Sequence, residues 1–220
     1  MLDFAPVLAK SDELLDGALG TLLLTGTTLA IAMPAALLLA SMTSLGNKAV
    51  RTVIRAYIEL IRNTPLLAQL FFVFFGLPVL GVRVRPDTTA LIVLSVYGTA
   101  YLIEIVRAGI ESIPRGQVEA ARALGLSLFN VFRYVIFKPA LRTVYPALTS
   151  QFIMLLLTSS VVTAISAHEL THAAQLIQSI TFRSFEVFLL VAVIYFALSS
   201  FFSLLFSALE KLLFSYPMAR

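Results

Sequence analysis

The sequence predicts an all-α protein that spans a lipid bilayer as a polytopic bundle of five transmembrane helices. Hydrophobic residues make up 59% of the 220 residues and charged residues only 13%, which is not the balance of an ordinary soluble domain. Long segments lack any Asp, Glu, Lys or Arg, and each reaches the roughly 20 residues that a helix needs to cross about 30 Å of hydrocarbon. These uncharged segments are 17–47, 63–82, 143–167 and 187–209. Because lipid offers no partner to a backbone N–H or C=O group, such spans must be helical.

A fifth span follows from a shorter uncharged window. Residues 88–103 end at Glu104, but the apolar pattern continues through Ile110, so a helix there is also long enough to span. One membrane domain is expected to fill residues 1–220. Its spans are predicted at about 18–43, 65–80, 88–110, 143–166 and 187–213, with a long basic loop at 111–142.

The basic residues are distributed unevenly between the two sides of the predicted bundle. With the N-terminus outside and the C-terminus in the cytoplasm, twelve of the sixteen Lys and Arg residues, Arg220 among them, fall on inner segments. The outer ones are Lys10, Arg83, Arg85 and Arg183. This bias satisfies the positive-inside rule and accounts for the net positive charge without a nucleic-acid partner. The acidic start lacks a basic n-region, so it is predicted to be a short outer tail and not a cleavable signal peptide.

Two connecting features are predicted between the first two spans. Residues 48–62 place charges at three- and four-residue steps beside an apolar face, which predicts an amphipathic helix at the cytoplasmic interface. Thr64 suits a helix N-cap and Pro65 the first helical position, so the second span is expected to begin there.

The most informative segment lies between spans 3 and 4. It reads Glu119-Ala120-Ala121-Arg122-Ala123-Leu124-Gly125. Pro114 breaks the preceding helix, Glu119 favours a first turn through the helix dipole, and Gly125 can close the end. A helix of about two turns is therefore expected at 117–125. Its two alanines would offer a smooth face to a partner protein, although the residues alone also permit an interfacial helix without a partner.

Residues 118–142 (VEAARALGLSLFNVFRYVIFKPALR) resemble the EAA loop of the membrane subunits of ABC importers, of the polar amino-acid permease type. Residues 57–70 resemble that family's entry into its second span, and 100–117 resemble its exit from the third. The likeness covers nearly the whole chain, and five spans with the N-terminus outside are that family's minimal arrangement. The chain departs from the family's usual residues at Asn63 and Leu157, and Pro139 stands one position late.

The resemblance implies the membrane domain of a type I ABC importer in the bacterial cytoplasmic membrane. Such a subunit forms half of a translocation path for amino acids or related small polar solutes and catalyses no covalent reaction itself. The loop helix would be a coupling helix, seated in a groove of a separate ATPase. Coupling is assigned to Glu119, Ala120, Ala121, Arg122, Leu124 and Gly125.

The resemblance also implies partners and excludes a nucleotide site on this chain. No G-x-x-x-x-G-K motif is present, so ATP and Mg²⁺ are expected on the partner ATPase and no cofactor on this chain. The implied partners are two ATP-binding subunits, a second membrane subunit that is identical or homologous, a soluble substrate-binding protein and the lipid bilayer.

Charged residues near the inner end of span 3 are predicted to form ion pairs. Glu104 and Arg107 lie three residues apart, and ionisable groups within a membrane are functional candidates. The plainer interpretation, which we favour, is a structural pair. Glu111 would extend it, because it lies four residues from both Arg107 and Arg115.

Small polar residues are predicted to form a stripe along span 4. Ser159, Thr163 and Ser166 fall on one face of a regular α-helix, with Gln151 nearby. This polar stripe could line the translocation path and exchange hydrogen bonds with a zwitterionic solute. It could equally serve close helix packing, which small residues permit.

Residues 168–172 match the zinc motif H-E-x-x-H, in which two histidines bind zinc and the glutamate activates water. An intramembrane zinc protease built on His168, Glu169 and His172 would need the motif on a helix and a third ligand, and the chain has no other His. Glu169-Leu170 also resembles a Glu-Leu pair that the permease family shows after span 4, so we expect no metal site. An ion-coupled secondary transporter is a further alternative, but it would need buried ion ligands and normally an internal repeat.

Overall fold

The computed structural model describes residues 2–214, except for the side chains of residues 44 and 45, so the predicted inner cation Arg220 lies outside the described residues. Residues 2–214 fold into helices and turns without a strand, which confirms the all-α prediction. The helices are α1 (Ala5–Leu8), α2 (Ser11–Leu45), α3 (Lys48–Arg62), α4 (Leu66–Val79), α5 (Pro86–Glu111), α6 (Arg115–Ala123), α7 (Leu128–Asn130), α8 (Phe137–Thr158), α9 (Leu170–Thr181) and α10 (Ser184–Leu213). A π-helical segment (Val131–Ile136) joins α7 to α8, and a 3-10 segment (Ser159–Ile165) follows α8.

Within the described residues, four helical stretches are long and apolar enough to cross a bilayer. They are Ser11–Thr43, Pro86–Glu111, Leu128–Ile165 and Ser184–Leu213. Helices α3 and α4 reach that length only together, and they are bent by 100° at the break between them. The prediction of a polytopic helical bundle is therefore confirmed. The number of spans is four, or five if the bent pair α3 and α4 together forms one span. The sides on which the termini lie stay a prediction.

The second span differs from its predicted form. Helix α4 has 14 residues, or about 21 Å at 1.5 Å per residue, which is too short to cross about 30 Å of hydrocarbon. Thr64 is not the N-cap, because Pro65 holds that position with an extended backbone (ψ 135°) and the helix begins at Leu66. A residue before proline avoids the α region, so the chain cannot continue as one helix from α3 into α4.

Helix α5 lies at the centre of the bundle, between α2 and α8. Two of its glycines permit this close packing. A Cβ atom on Gly98 would lie 3.3 Å from Leu155 Cδ1, and one on Gly109 would lie 2.7 Å from Val144 Cγ1. Small residues at such contacts matter in a membrane, because lipid supplies no hydrophobic drive for helices to associate.

Helix α3 confirms the amphipathic helix predicted at 48–62, and it has three distinct faces. The first packs inward on α2 and α5 through Ile54, Ile58 and Ile61. The second carries Lys48, Arg51, Arg55, Glu59 and Arg62. The third exposes Val53 and Leu60, whose side chains are 69% and 64% exposed. Successive residues are about 100° apart around a helix. Going around α3 in one direction, the buried face is therefore followed by the charged face and then by the exposed apolar face.

Helix α9 lies where the sequence predicted only an outer loop, so that prediction is wrong. Its buried residues are Leu170, Ala173, Ala174 and Ile177. They repeat at the i, i+3, i+4 and i+7 spacing of a helix face. This face packs on α2 at Gly17, where a Cβ atom would lie 2.8 Å from that of Ala173.

Candidate functional site

The helix predicted at 117–125 is present as α6, but it begins earlier, at Arg115, and ends at Ala123. Pro114 occupies the N-cap position and separates α6 from the end of α5 at Glu111. Because the helix begins two residues early, Glu119 lies in its second turn. The expected dipole stabilisation of Glu119 in a first turn is therefore wrong, since the effect falls off within that turn.

Gly125 ends α6 in a left-handed conformation, with φ of +81°. The N–H of Gly125 donates to the carbonyl oxygen of Arg122 at 3.0 Å, and the N–H of Leu126 donates to that of Ala121 at 3.2 Å. This pair of bonds defines a Schellman motif, which satisfies the last carbonyl groups of a helix. Gly125 therefore closes the helix as the sequence predicts, at a φ that side chains with a Cβ atom avoid.

The two alanines of α6 point in different directions, because adjacent helical residues are about 100° apart. Ala121 is buried against the rest of the chain, whereas Ala120 is exposed. The expectation that both alanines form one outward face is therefore wrong. The exposed surface of α6 carries Glu119, Ala120 and Arg122, and it continues to Leu124, whose side chain is 81% exposed.

A large charged cavity lies beside α6. It has a volume of about 1480 Å³ and is bounded mainly by α3, the last turns of α5, and α6. Its cations are Lys48, Arg51, Arg55, Arg62, Arg107, Arg115 and Arg122, and its carboxylates are Glu59, Glu104, Glu111 and Glu119. Cations therefore outnumber carboxylates at this end of the bundle.

The predicted ion pairs at the end of α5 are present in part. Arg107 Nη2 lies 3.0 Å from Glu104 Oε2, and Arg107 Nη1 lies 2.6 Å from Glu111 Oε2. Arg115 does not extend this ladder, because it makes no ion pair within 4.0 Å among the described residues. The break at Pro114 removes the helical spacing that would have brought Arg115 to Glu111. Arg62 takes part instead, with its Nη1 atom 4.0 Å from Glu104 Oε2.

Gln69 holds the bend between α3 and α4, a role that the sequence did not indicate. Its Nε2 group donates to the carbonyl oxygen of Ile61 at 2.9 Å, and its second N–H is shared between Thr64 Oγ1 at 2.7 Å and the carbonyl oxygen of Thr64 at 3.1 Å. These bonds engage carbonyl groups that the interrupted helix leaves without helical partners. In the sequence, a lone glutamine in an apolar segment indicates only that its amide group needs hydrogen-bond partners, and it does not indicate which groups these are.

The predicted polar stripe of span 4 does not form one face. Residues 159–165 adopt a 3-10 helix, in which every third residue aligns, so Ser159 is buried together with Val162 and Ile165. Thr163 lies on another side and donates to Gln175 Oε1 at 3.2 Å. Ser166 ends the segment with a left-handed φ of +58°. Gln151 lies in α8, about two turns before Ser159, and is half-buried.

The H-E-x-x-H match does not have the geometry of a zinc site. His168 and Glu169 precede α9, so the two histidines do not lie at i and i+4 of one helix. His168 Nε2 lies 2.9 Å from Asp16 Oδ2 in α2, and its backbone N–H donates to Asp87 Oδ1 at 2.8 Å. The zinc-protease alternative is therefore wrong, because it requires both histidines on one helix.

Glu169 instead serves as the N-cap of α9. Its carboxylate accepts hydrogen bonds from the N–H groups of Thr171 and His172, at 2.8 and 2.6 Å, and from the Tyr195 hydroxyl at 2.8 Å. The side chain is fully buried. Burial raises the pKa of this carboxyl, and the hydrogen bonds from Thr171, Tyr195 and His172 oppose that rise. The cap links α9 to α10 at the end of the bundle opposite α6.

The architecture defines the class of protein. A chain in a solved structure described as an amino acid ABC transporter with histidines matches this fold with a TM-score of 0.89. The two chains are 37% identical, and the match covers 96% of this chain and 99% of the other. The fold is thus that of the membrane domain of a type I ABC importer.

Sequence relatives identify the family. The glutamine transport system permease protein GlnP of Escherichia coli is 34% identical, over 95% of this chain and 96% of that protein. A Bacillus subtilis protein named probable glutamine ABC transporter permease protein GlnP is 40% identical, over 71% of this chain and 73% of its own length. A family model described as binding-protein-dependent transport system inner membrane component matches residues 32–215. The chain belongs to this family.

Proposed function

We propose that this chain is the membrane subunit of an ATP-driven importer of amino acids or related small polar solutes. Family membership supports a transport role, and two relatives are named for glutamine transport. The structural neighbour at 37% identity is an amino acid ABC transporter. Amino acids are therefore the first solutes to test, with glutamine before the others.

The observation that carries the proposal is α6, a short exposed helix between two spans that Gly125 closes in a left-handed turn. We assign ATPase coupling to the exposed surface formed by Glu119, Ala120, Arg122 and Leu124, while Ala121 and Gly125 position the helix. A closed, nine-residue helix transmits force to the bundle as a rigid unit, whereas a loop would deform. ATP and Mg²⁺ would be held by the partner, which uses α6 to move the spans.

The proposed assembly contains two ATP-binding subunits, a second membrane subunit and a soluble substrate-binding protein. This chain would contribute one membrane domain and half of the translocation path. The distribution of basic residues supports a cytoplasmic C-terminus and a cytoplasmic α6 in the bacterial inner membrane. A polar path through Ser159, Thr163 and Ser166 would draw on more than one face of this segment, because these residues do not share one.

The test compares two glycine-to-aspartate variants at the two ends of α6. Neither Gly125 nor Gly116 has a heavy atom within 4 Å of an added Cβ, but only Gly125 has a positive φ. In the complex with its ATPase and binding protein, Gly125→Asp should abolish solute-stimulated ATP hydrolysis while the chain stays folded in the membrane. Gly116→Asp adds the same charge without the backbone strain and should keep the stimulation. Wild-type stimulation in Gly125→Asp, or equal loss in both variants, would contradict the proposed role of the turn.

A further inference from the structure

We propose that the charged cavity between α3, α5 and α6 binds a phosphate-bearing anion, the headgroup of an acidic phospholipid. The cavity shares Glu119 and Arg122 with the coupling surface of α6, whereas Lys48 and Arg115 lie outside that surface. The proposal does not depend on the proposed transport function. It rests on the charge balance of the cavity, on which cations remain unpaired, and on the apolar face of α3.

The carboxylates of the cavity neutralise only some of its cations. Glu104 and Glu111 both pair with Arg107, at 3.0 and 2.6 Å. Glu59 lies 3.9 Å from Arg55. Glu104 also lies 4.0 Å from Arg62. The fourth carboxylate, Glu119, makes no ion pair within 4.0 Å among the described residues, so the cavity's ion pairs do not reach all of its cations.

The unpaired cations come from two sides of the cavity. Lys48 lies at the start of α3, and Arg115 and Arg122 lie on α6. None of these three makes an ion pair within 4.0 Å in the part of the chain that the structure describes. Arginine and lysine groups that converge on a cavity are the usual recognition elements for phosphate oxygens, because their N–H groups form charge-assisted hydrogen bonds.

The exposed apolar face of α3 favours a lipid over a free phosphate ion. Val53 and Leu60 lie seven residues apart, two turns along the same side of the helix, and both are more than 60% exposed. Thr52, which also lines the cavity, lies between this face and Lys48 around the helix. A phospholipid matches both the cavity and the apolar face, since its acyl chains can cover Val53 and Leu60 while its phosphate enters the cavity. Basic pockets between membrane helices bind acidic lipid headgroups in this way.

The test measures lipid retention by the full chain, purified with the subunits that accompany it. The complex is placed in nanodiscs of phosphatidylcholine with increasing phosphatidylglycerol, and bound phosphatidylglycerol is counted by native mass spectrometry. The double variant Lys48→Gln/Arg115→Gln should weaken retention by roughly 25-fold, because each basic residue near a membrane surface contributes about a fivefold preference. The variant Lys48→Arg/Arg115→Lys keeps both charges and should retain the lipid.

A matched control removes two positive charges at the other end of the bundle, as Lys10→Gln/Arg83→Gln, and should leave retention unchanged. A parallel titration of inorganic phosphate into neutral nanodiscs tests the free ion as the ligand. The proposal is overturned if the Lys48/Arg115 double variant retains lipid like the wild type, or if the control loses as much. It is also overturned if inorganic phosphate binds through Lys48 and Arg115 while phosphatidylglycerol is not retained.

Discussion

Replacing Glu169 by alanine should destabilise the fold measurably, because three hydrogen bonds end on this buried carboxylate. The N–H groups of Thr171 and His172 would lose their acceptor, and the Tyr195 hydroxyl would lose one partner. Loss of an N-cap costs about 0.5–2 kcal/mol, and a buried donor left unpaired costs about 1–3 kcal/mol. These contributions overlap, since they concern the same N–H groups, so we expect a total of about 2–4 kcal/mol.

The assay is thermal unfolding of the purified protein in detergent, followed by circular dichroism. For a chain of this length the expected loss corresponds to a decrease in Tm of roughly 5–15 °C. Glu13→Ala is the control, because Glu13 is exposed and makes one surface ion pair with Lys10 at 2.7 Å. Such a pair contributes at most about 1 kcal/mol. Equal melting temperatures for Glu169→Ala and Glu13→Ala would refute the assignment of Glu169 as a stabilising cap.

Three further predictions concern pH and glycine packing. Because burial raises the pKa of the Glu169 carboxyl above its ordinary value, protonation of this group adds stability that is complete below the unfolded-state pKa and is lost as pH rises through the folded-state pKa. Glu169→Gln should remove this slope from a series of melts. Gly109→Ala should destabilise by about 1–3 kcal/mol through overpacking against α8, whereas Gly26→Ala, with open space around its Cβ, should stabilise the protein by about 0.5–1 kcal/mol. Gly125→Ala should lower the Tm through its positive φ while Gly116→Ala raises it, and the opposite order in these melts would contradict the turn geometry.

Local features of the site were predictable because they depend on neighbours in sequence. The Schellman turn at Gly125 and the pair of Glu104 with Arg107 each need only residues within one or two helical turns. Predictions that assumed an uninterrupted α-helix were wrong. The break at Pro114 separated Arg115 from Glu111, and the change to a 3-10 helix after α8 dispersed the polar stripe.

Helix α9 was not predicted from the sequence for a different reason. Its apolar residues have helical spacing, but the segment is too short and too polar to be taken for a span. Its cap, Glu169, also falls within the H-E-x-x-H match, which gives no sign of a capping role. Contacts with Gly17 of α2 and with Tyr195 of α10 hold the helix in place, and neither residue is near α9 in sequence.

The amino-acid sequence by itself determined that this protein crosses a membrane as a helical bundle and carries a short exposed helix between two spans. That information is local, because lipid forces every apolar segment to satisfy its own backbone hydrogen bonds. Tertiary structure decided the 100° bend between α3 and α4, the docking of α9 and the cationic cavity beside α6. Pro65 interrupts the helix locally, and hydrogen bonds donated by Gln69 hold the bend. The docking of α9 arises from contacts between distant segments, namely close packing at Gly17 and the hydrogen bond from Tyr195 to Glu169.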